Sequence, residues 1–250
     1  MVIKREIAIP ELTGDKKRGL YIYLPEDYET SGKRYPVLYM FDGQNVFFDK
    51  DASFGKSMGM SDYMQRTNTP LIICAVQSNT EGNERLSEYS PVDFVYGPVG
   101  AIEGKGGIYM NWLVKTLKPI IDREFRTLPE REHTSICGTS MGGLMAMYAA
   151  CVYNDVFKKA ACLSASLWIA PDKILSVLKD GNIKKDSVIY IDYGSKEMKN
   201  HRESREALTR VTEFLMERDV NVTLRIIPGG THSEASWEKQ IPVFMACLNL

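Results

Sequence analysis

Apolar runs alternate along the chain with segments of helical periodicity, and the runs are of two kinds. Residues 3–10 and 19–24 alternate apolar and polar positions in the way of paired antiparallel strands. Later runs are continuously apolar, as expected for strands that a parallel sheet buries on both faces. These later strands are predicted at 36–41, 71–76, 160–163 and 188–191, with a last strand at 222–227. The pattern predicts an antiparallel start followed by a mostly parallel sheet.

Apolar residues at three- and four-residue spacing predict helices between these strands. The longest stripe covers 109–125, and Pro119 inside it is expected to kink the helix or to shift its start. Two further stripes lie at 208–215 and 237–248. This alternation favours an α/β fold with helices on both faces of the sheet, in a single domain over residues 1–250. Catalytic groups in such a fold belong on loops at the carboxyl ends of the strands.

The segment 78–107 shows neither period and is expected to be a long loop. A loop of that length inside a compact domain is usually functional or disordered. This one carries charged and aromatic residues, among them Arg85, Glu88 and Tyr89. Its composition favours the wall of a binding cleft.

Composition removes several classes of function. The formal net charge is −1, so no global field would attract the chain to nucleic acid or to an anionic membrane. It has no apolar run of about 18 residues and no apolar stretch at its start that is typical of a signal peptide. The five cysteines lie in apolar stretches without metal-binding spacing, which favours buried free thiols. We therefore expect a cytoplasmic protein without a metal, a membrane contact or a nucleic-acid partner.

The strongest local signal is the pentapeptide 138–142, Gly-Thr-Ser-Met-Gly. It follows an apolar run, 134–137, and leads into a helical pattern of small residues, 143–150. Strand, sharp turn and helix around a G-x-S-x-G serine form the nucleophile elbow of α/β-hydrolases. The glycines are required because a Cβ on either flank would collide with the neighbouring backbone. The motif makes Ser140 a candidate nucleophile.

A serine nucleophile needs a base, and the base needs an orienting acid, in the chain order Ser, Asp or Glu, His. Of the three histidines, His133 precedes the elbow strand and His201 lies in a charged helical segment, so both are interpreted as surface residues. His232 follows the last predicted strand, where the base of this fold belongs. The acid should follow strand 188–191. Two carboxylates do so: Asp192 and Glu197, of which Glu197 is preferred because it comes after the turn at residue 194.

The developing oxyanion of an acyl-transfer reaction requires two backbone N–H donors. One is expected from Met141, the residue after the nucleophile, at the start of a helix. The other should come from the loop after strand 36–41, where Gly43 permits a turn and Gln44 supplies the N–H. A plain Asp-Gly turn at 42–43 is the alternative interpretation of that loop.

Together these segments resemble the Putative esterase family of α/β-hydrolases, which includes feruloyl and acetyl esterases, S-formylglutathione hydrolases and enterochelin esterases. The resemblance covers nearly the whole chain. Five blocks carry it: YMFDGQNVF at 39–47, RLSEYSP at 85–91, GTSMGGL at 138–144, DYGSKE at 192–197 and GTHSEASW at 230–237. Many relatives carry Asp at the acid position, where this chain has Glu197.

The resemblance implies an α/β-hydrolase fold without a large lid, with Ser140 as nucleophile, His232 as base and Glu197 as acid. It also implies that the 85–91 block, with Arg85 and Glu88, contacts polar groups of the substrate. Trp168 is similarly placed to line the acyl pocket, although a packing role for this side chain is equally open.

We therefore expect a serine esterase that acts on small or short-acyl esters, including carbohydrate-linked ones, through an acyl-enzyme and without a cofactor. Two alternatives stay open: acyl transfer or thioester cleavage by the same triad, and a non-catalytic binding module on a hydrolase fold. The sequence does not indicate an oligomeric state.

Overall fold

The computed structural model describes residues 1–198 and 202–250, and in them eight strands form one central sheet. In chain order the ten strands of these two ranges are β1 (Val2–Ala8), β2 (Lys17–Tyr23), β3 (Val37–Met40), β4 (Ile72–Val76), β5 (Phe94–Tyr96), β6 (Gly100–Ile102), β7 (Thr134–Thr139), β8 (Lys159–Leu163), β9 (Val188–Gly194) and β10 (Asn221–Ile227). Of these, β5 and β6 form a separate hairpin. Across the sheet the order is β1-β2-β4-β3-β7-β8-β9-β10. Neighbours from β4 to β10 are parallel, whereas β2 is antiparallel to both β1 and β4. The mostly parallel sheet with an antiparallel start is confirmed.

Helices cover both faces of this sheet. They are α1 (Pro10–Thr13), α2 (Tyr28–Ser31), α3 (Met60–Thr67), α4 (Glu84–Glu88), α5 (Gly106–Trp112), α6 (Lys118–Glu124), α7 (Met141–Val152), α8 (Pro171–Lys179), α9 (Ser195–Met198), α10 (Arg202–Glu217), α11 (Glu234–Glu238) and α12 (Ile241–Cys247). Helices α5, α7, α8 and α10 pack on one face, and α3 and α12 on the other. No helix in these two ranges has both the length and the apolar character needed to span a membrane.

Strand β3 shows why the strands in the middle of the sheet can be apolar at every position. Val37 and Tyr39 belong to the hydrophobic cluster on one face of the sheet, and Leu38 and Met40 to the cluster on the other. Successive side chains of a strand point to opposite faces, so a strand covered by helices on both faces has no polar side.

Two predicted helices are interrupted. The stripe at 109–125 is α5 and α6 joined by a π-helical turn over Leu113–Leu117, and Pro119 lies in the first turn of α6. The helical backbone is continuous through this turn, where the Lys118 N–H donates to the Leu113 carbonyl five residues earlier, and the wider π turn accommodates a proline that has no N–H to donate. The single C-terminal helix predicted at 237–248 is wrong. The chain forms α11 and α12 instead, and Pro242 lies in the first turn of α12.

The segment 78–107 is not a structureless loop, which corrects the expectation. It contains α4 and a separate antiparallel hairpin of β5 and β6. Val92 and Ile102 on the hairpin side pack on the larger core cluster, so the segment is anchored to the domain. It stands near the carboxyl ends of the parallel strands, where it forms part of the cavity described below.

Candidate active site

The turn between β7 and α7 holds Ser140 in an unusual backbone conformation. Its φ is 57° and its ψ is −121°, a region that side chains rarely adopt. A Cβ on Gly138 would collide with the backbone of Gly142, and a Cβ on Gly142 would lie 2.9 Å from the Cβ of Phe41. Both glycines are therefore required by space, and the turn presents the serine hydroxyl at the carboxyl end of the central strand.

A line of hydrogen bonds, called the imidazole line below, joins three side chains from distant parts of the chain: Ser140, His232 and Glu197. His232 Nε2 lies 2.9 Å from Ser140 Oγ, and His232 Nδ1 lies 2.6 Å from Glu197 Oε2. The imidazole is 47% exposed, whereas the carboxylate of Glu197 is 9% exposed. An imidazole held between a serine hydroxyl and a carboxylate can accept the hydroxyl proton and be stabilised as a cation.

Two glycines allow the loops that carry the histidine and the carboxylate to meet. Glu197 belongs to α9, directly after β9, and His232 follows β10. A Cβ on Gly194 would collide with the carbonyl oxygen of Gly230. The two backbones approach this closely only because neither residue has a side chain.

The Glu197 carboxylate is held in its charged form. Its Oε1 accepts hydrogen bonds from the Gly194 N–H at 2.9 Å and the Ser164 hydroxyl at 2.8 Å. Burial acts to raise the pKa of Glu197, but the hydrogen bond and charge of His232, with those two donors, outweigh it and lower the pKa. The group is thus an anion when it faces the imidazole.

Asp192, the alternative acid, lies elsewhere. Its carboxylate is 1% exposed and accepts a hydrogen bond from the Tyr190 hydroxyl at 2.8 Å. Burial raises the pKa of Asp192 to about 6. The residue lies inside β9, so its side chain shares a face of the sheet with Tyr190 and does not contact the imidazole line.

Two residues that the sequence analysis did not select complete the surroundings of the carboxylate. The Trp237 Nε1–H donates to Ser164 Oγ at 2.8 Å. The Trp237 ring also meets the His232 ring edge to face, with centroids 5.0 Å apart. Ser164 directly follows β8 at the carboxyl edge of the sheet, and this position was the one available signal for it.

The two proposed oxyanion donors follow different strands. Met141 is the first residue of α7 and lines the cavity beside Ser140. Gln44 lies in a 3₁₀ turn, Gly43–Asn45, after β3, and its side chain is fixed by two hydrogen bonds with Ser78, at 3.0 and 3.2 Å. A Cβ on Gly43 would lie 2.6 Å from the carbonyl oxygen of Ala75, so this turn needs glycine for its close packing on β4. The oxyanion role of the two N–H groups stays a prediction.

A cavity of about 430 Å³ opens beside the serine. The imidazole line forms one part of its wall, and Arg85 contributes a second polar group. Its lining also includes the apolar residues Leu86, Phe94, Tyr96, Trp168 and Ile169. The site therefore combines one fixed catalytic arrangement with a largely apolar wall.

Arg85 is held rigidly by Asp42. The guanidinium donates from Nε to Oδ1 at 2.6 Å and from Nη2 to Oδ2 at 2.7 Å, and its side chain is 30% exposed. Burial acts to lower the pKa of Arg85, but Asp42 outweighs it and raises the pKa, so the group stays charged. A planar donor fixed in this way can recognise a polar group of a bound molecule.

The structure does not place Glu88 with Arg85 in the cavity, which corrects the prediction for that residue. Both Glu88 oxygens lie 2.7 Å from Nη1 of Arg18, and the two side chains are 3% and 7% exposed. Burial raises the pKa of Glu88 although Arg18 opposes the shift. The pair ties α4 to β2 and has a structural role.

Trp168 lines the wall of this cavity, and its role in holding the acyl group stays a prediction. Its ring is 37% exposed and packs against Tyr96 with centroids 6.3 Å apart. The exposure of so large an apolar ring beside the serine is typical of a binding surface.

The other two histidines have different outcomes. His133 is partly exposed at the amino end of β7, opposite the edge that carries Ser140. The surface interpretation of His201 falls outside the described residues. Within residues 1–198 and 202–250, no group of three or more His, Cys, Asp and Glu side chains could hold a metal ion.

Relatives with this fold and sequence pattern are known. The model of the family described as Putative esterase matches residues 12–247. The uncharacterized protein YbbA of Bacillus subtilis is 25% identical over 89% of both chains. The esterase Rv1288 of Mycobacterium tuberculosis is 33% identical over 146 residues, which cover 57% of this chain and 28% of that protein.

Solved structures agree with the fold. An IroE-like serine hydrolase from Shewanella oneidensis superposes with a TM-score of 0.76 at 20% identity, over 100% of this chain and 79% of that one. The BES protein of Bacillus cereus gives a TM-score of 0.75 at 19% identity, over 99% and 94%. The predicted α/β-hydrolase fold is confirmed. Because the family model spans nearly the whole chain, this protein belongs to the Putative esterase family, and it is a serine carboxylic-ester hydrolase.

Proposed function

We propose that this esterase acts through an acyl-enzyme formed on Ser140. The observation that carries the proposal is the continuous line from Ser140 through His232 to Glu197, with hydrogen bonds of 2.9 and 2.6 Å. As Ser140 Oγ attacks the ester carbonyl, its proton passes to His232 Nε2. The tetrahedral intermediate then expels the alcohol, which takes that proton, and the acyl group stays on the serine.

Water completes the cycle by the same groups in reverse. His232 removes a proton from a water molecule, the resulting hydroxide attacks the acyl carbonyl, and the serine oxygen leaves with the proton. Glu197 holds the imidazole in the tautomer that exposes Nε2 to Ser140 and stabilises its cation. None of these steps needs a cofactor.

We assign to the N–H groups of Met141 and Gln44 the stabilisation of the negative charge that develops on the substrate oxygen. Met141 begins α7, so its N–H points away from the intrahelical ladder and has no acceptor in the helix. Two such donors lower the barrier because they meet the charge only as it develops. We expect the Gln44 N–H to be the second donor, since the packed turn around Gly43 would fix its direction.

The substrates we propose are small or short-acyl esters, including carbohydrate-linked ones. The cavity volume of about 430 Å³ supports a compact substrate. Arg85, fixed by Asp42, is suited to donate hydrogen bonds to a polar group of the ester, and Trp168 offers an apolar face for the remainder. A small-molecule ester is thus the expected binding partner. The cytoplasmic location expected from the sequence stays a prediction.

Acyl transfer or thioester cleavage could use the same serine. The 47% exposure of His232 favours hydrolysis, because bulk water reaches the base directly. Product analysis with added alcohols separates the reactions. Hydrolysis predicts free acid as the main product, whereas dominant transfer product at low acceptor concentration would contradict it.

Substitution of Ser140 by alanine tests the proposal. Loss of the nucleophile typically lowers kcat on the order of 10⁴-fold or more, so Ser140→Ala should have almost no activity on p-nitrophenyl acetate. Circular dichroism and the melting temperature should stay close to the parent values. A loss of only a few-fold in a folded variant would place the nucleophile at another residue.

A further inference from the structure

We propose that Ser164 and Trp237 form a positioning relay that orients the Glu197 carboxylate toward His232. The relay consists of two hydrogen bonds of 2.8 Å, from Trp237 Nε1 to Ser164 Oγ and from Ser164 Oγ to Glu197 Oε1. The inference rests on the proposed function, because it gives Glu197 the orienting role. It adds two residues, one after β8 and one in α11, to the three in the imidazole line.

The direction of each hydrogen bond in the relay follows from the chemistry of the groups. An indole N–H can only donate, so Ser164 Oγ is the acceptor from Trp237. An ionised carboxylate can only accept, so the single hydroxyl proton of Ser164 goes to Glu197. The serine therefore has one orientation available, and its proton stabilises the charged form of the acid.

A glutamate at this position needs such a tether more than an aspartate does. Its extra methylene adds a rotatable bond between the backbone and the carboxylate, and rotation would carry Oε2 away from the imidazole. Two donors, the Ser164 hydroxyl and the Gly194 N–H at 2.9 Å, hold Oε1. With Oε1 fixed on the backbone side, Oε2 is left to face His232 Nδ1 at 2.6 Å.

The backbone at Ser164 is itself strained. Its φ is 45°, a region that favours glycine, yet the residue is a serine and is 2% exposed. Its N–H is held by the carbonyl oxygen of Asp192 at 2.9 Å. Such strain persists where the surroundings enforce it and is concentrated at functional sites. Glycine would relieve this strain but would lack the hydroxyl, so the serine at this position is explained by its hydrogen bonds.

Trp237 contacts both ends of the acid–base pair. Its Nε1–H reaches Glu197 through Ser164, and its ring packs edge to face on His232 at 5.0 Å between centroids. The ring is 5% exposed, so its position is fixed by the core. The rigid Trp237 side chain thereby fixes the distance between His232 and Ser164, the residue that orients the Glu197 carboxylate.

Removal of the Ser164 hydroxyl tests the relay. Ser164→Ala should lower kcat about tenfold with KM changed less than twofold, because a hydrogen bond to a charged group is lost while the cavity wall is kept. Ser164→Gly should lose as much kcat, although glycine suits the φ of 45° and removes the strain. Trp237→Phe, which keeps a ring on His232, should lose less, about two- to fivefold.

A matched control is available in β7. Ser135 is fully buried, and its hydroxyl has no hydrogen-bond partner within the described ranges. Ser135→Ala makes the same chemical change without touching the relay, so kcat should be unchanged. If Ser164→Ala folds poorly because the Trp237 N–H is left unpaired, the double variant Ser164→Ala/Trp237→Phe removes both groups and should show the same tenfold loss.

Two readouts separate positioning from general damage. In a Glu197→Gln background, Ser164→Ala should change kcat less than twofold, because the relay acts only through the carboxylate. The downfield proton resonance of His232 Nδ1–H, deshielded by the short bond to Glu197, should move or broaden in Ser164→Ala and stay in Ser135→Ala. A Ser164→Ala enzyme with the parent kcat and an unmoved resonance, or a full tenfold loss in the Glu197→Gln background, would overturn the relay. Failure of the proposed function is a different result, namely an active Ser140→Ala enzyme.

Discussion

The two sides of the cavity differ in how their side chains are held. On the catalytic side, polar atoms bond to one another in a chain that runs from Trp237 to Ser140. The apolar side is formed by rings and aliphatic groups that contact each other and leave surface open, with Tyr96 38% and Trp168 37% exposed. The members of the apolar side are Leu86, Phe94, Tyr96, Trp168 and Ile169.

This difference separates chemistry from binding. Catalytic side chains directly follow strands of the central sheet or lie on the loops after them, where the hydrogen bonds among them fix the geometry before the substrate arrives. The apolar side stands partly on the β5–β6 hairpin, which is outside the central sheet. We therefore expect changes on the catalytic side to lower kcat and changes on the apolar side to alter KM.

The largest effect should come from the acid on the catalytic side. Glu197→Gln should lower kcat about 10³- to 10⁴-fold, because a glutamine cannot stabilise the imidazolium and can hold the wrong tautomer. Asp192→Asn, five positions earlier, should change kcat less than twofold. Steady-state kinetics on p-nitrophenyl acetate compare the two variants directly, and a severe loss confined to Asp192→Asn would assign the acid role to that residue.

A smaller effect is expected from Asp192, and it should appear in the stability of the fold and not in catalysis. Burial raises the pKa of Asp192 from 3.8 to about 6, so the folded state binds its proton more tightly than the unfolded chain does. The stabilising contribution is therefore complete below about pH 4 and is lost as pH rises through about 6, a change of about 3 kcal/mol.

Asp192→Asn removes this loss while keeping an acceptor for the Tyr190 hydroxyl. Its free energy of unfolding should exceed that of the parent at pH 8 and approach or fall below it at pH 4. Urea titrations across that range measure the difference. A difference that does not depend on pH would mean that the carboxyl is not buried in its charged form.

The smallest effect should come from the apolar side. Trp168→Ala should raise KM about three- to tenfold for esters with a bulky apolar group, because about a third of a large ring face is lost as a binding surface. For p-nitrophenyl acetate, kcat should stay within twofold. Val95→Ala is the control: Val95 is 74% exposed on β5 but does not line the cavity beside Ser140. A Trp168→Ala enzyme that loses kcat on every ester would erase the distinction between the two sides.

Ser140 could be predicted because its signal is local. Two glycines, a serine and a flanking strand and helix lie within a short stretch, and each is required by the turn itself. His232 followed from chain order and from having few competitors. The structure brings both side chains within 2.9 Å of each other, although 92 positions separate them.

The sequence favoured Glu197 over Asp192 because Glu197 follows the turn at residue 194, but the physical reason for the choice depends on where β9 ends. The predicted strand stopped at residue 191, but β9 continues to Gly194. With two-residue alternation, Asp192 then shares the face of Tyr190 inside the sheet, and only the residues after Gly194 can turn toward the loop of His232.

Contacts between distant segments account for the other differences. Glu88 was assigned to the substrate because the family resemblance places the 85–91 block at the cleft, yet its partner is Arg18, 70 positions away. The bond of Trp237 to Ser164 spans 73 positions. Neither Arg18 nor Ser164 lies in a local sequence motif, so these pairings could be seen only in the folded structure.

Reaction with a fluorophosphonate, followed by peptide mapping, tests most directly whether Ser140 and His232 act as one unit. We predict a single adduct on Ser140, none in Ser140→Ala, and a labelling rate at least about 10³-fold lower in His232→Gln, whose fold is otherwise intact. An adduct on another residue, or a labelling rate unchanged by the His232 substitution, would contradict the account.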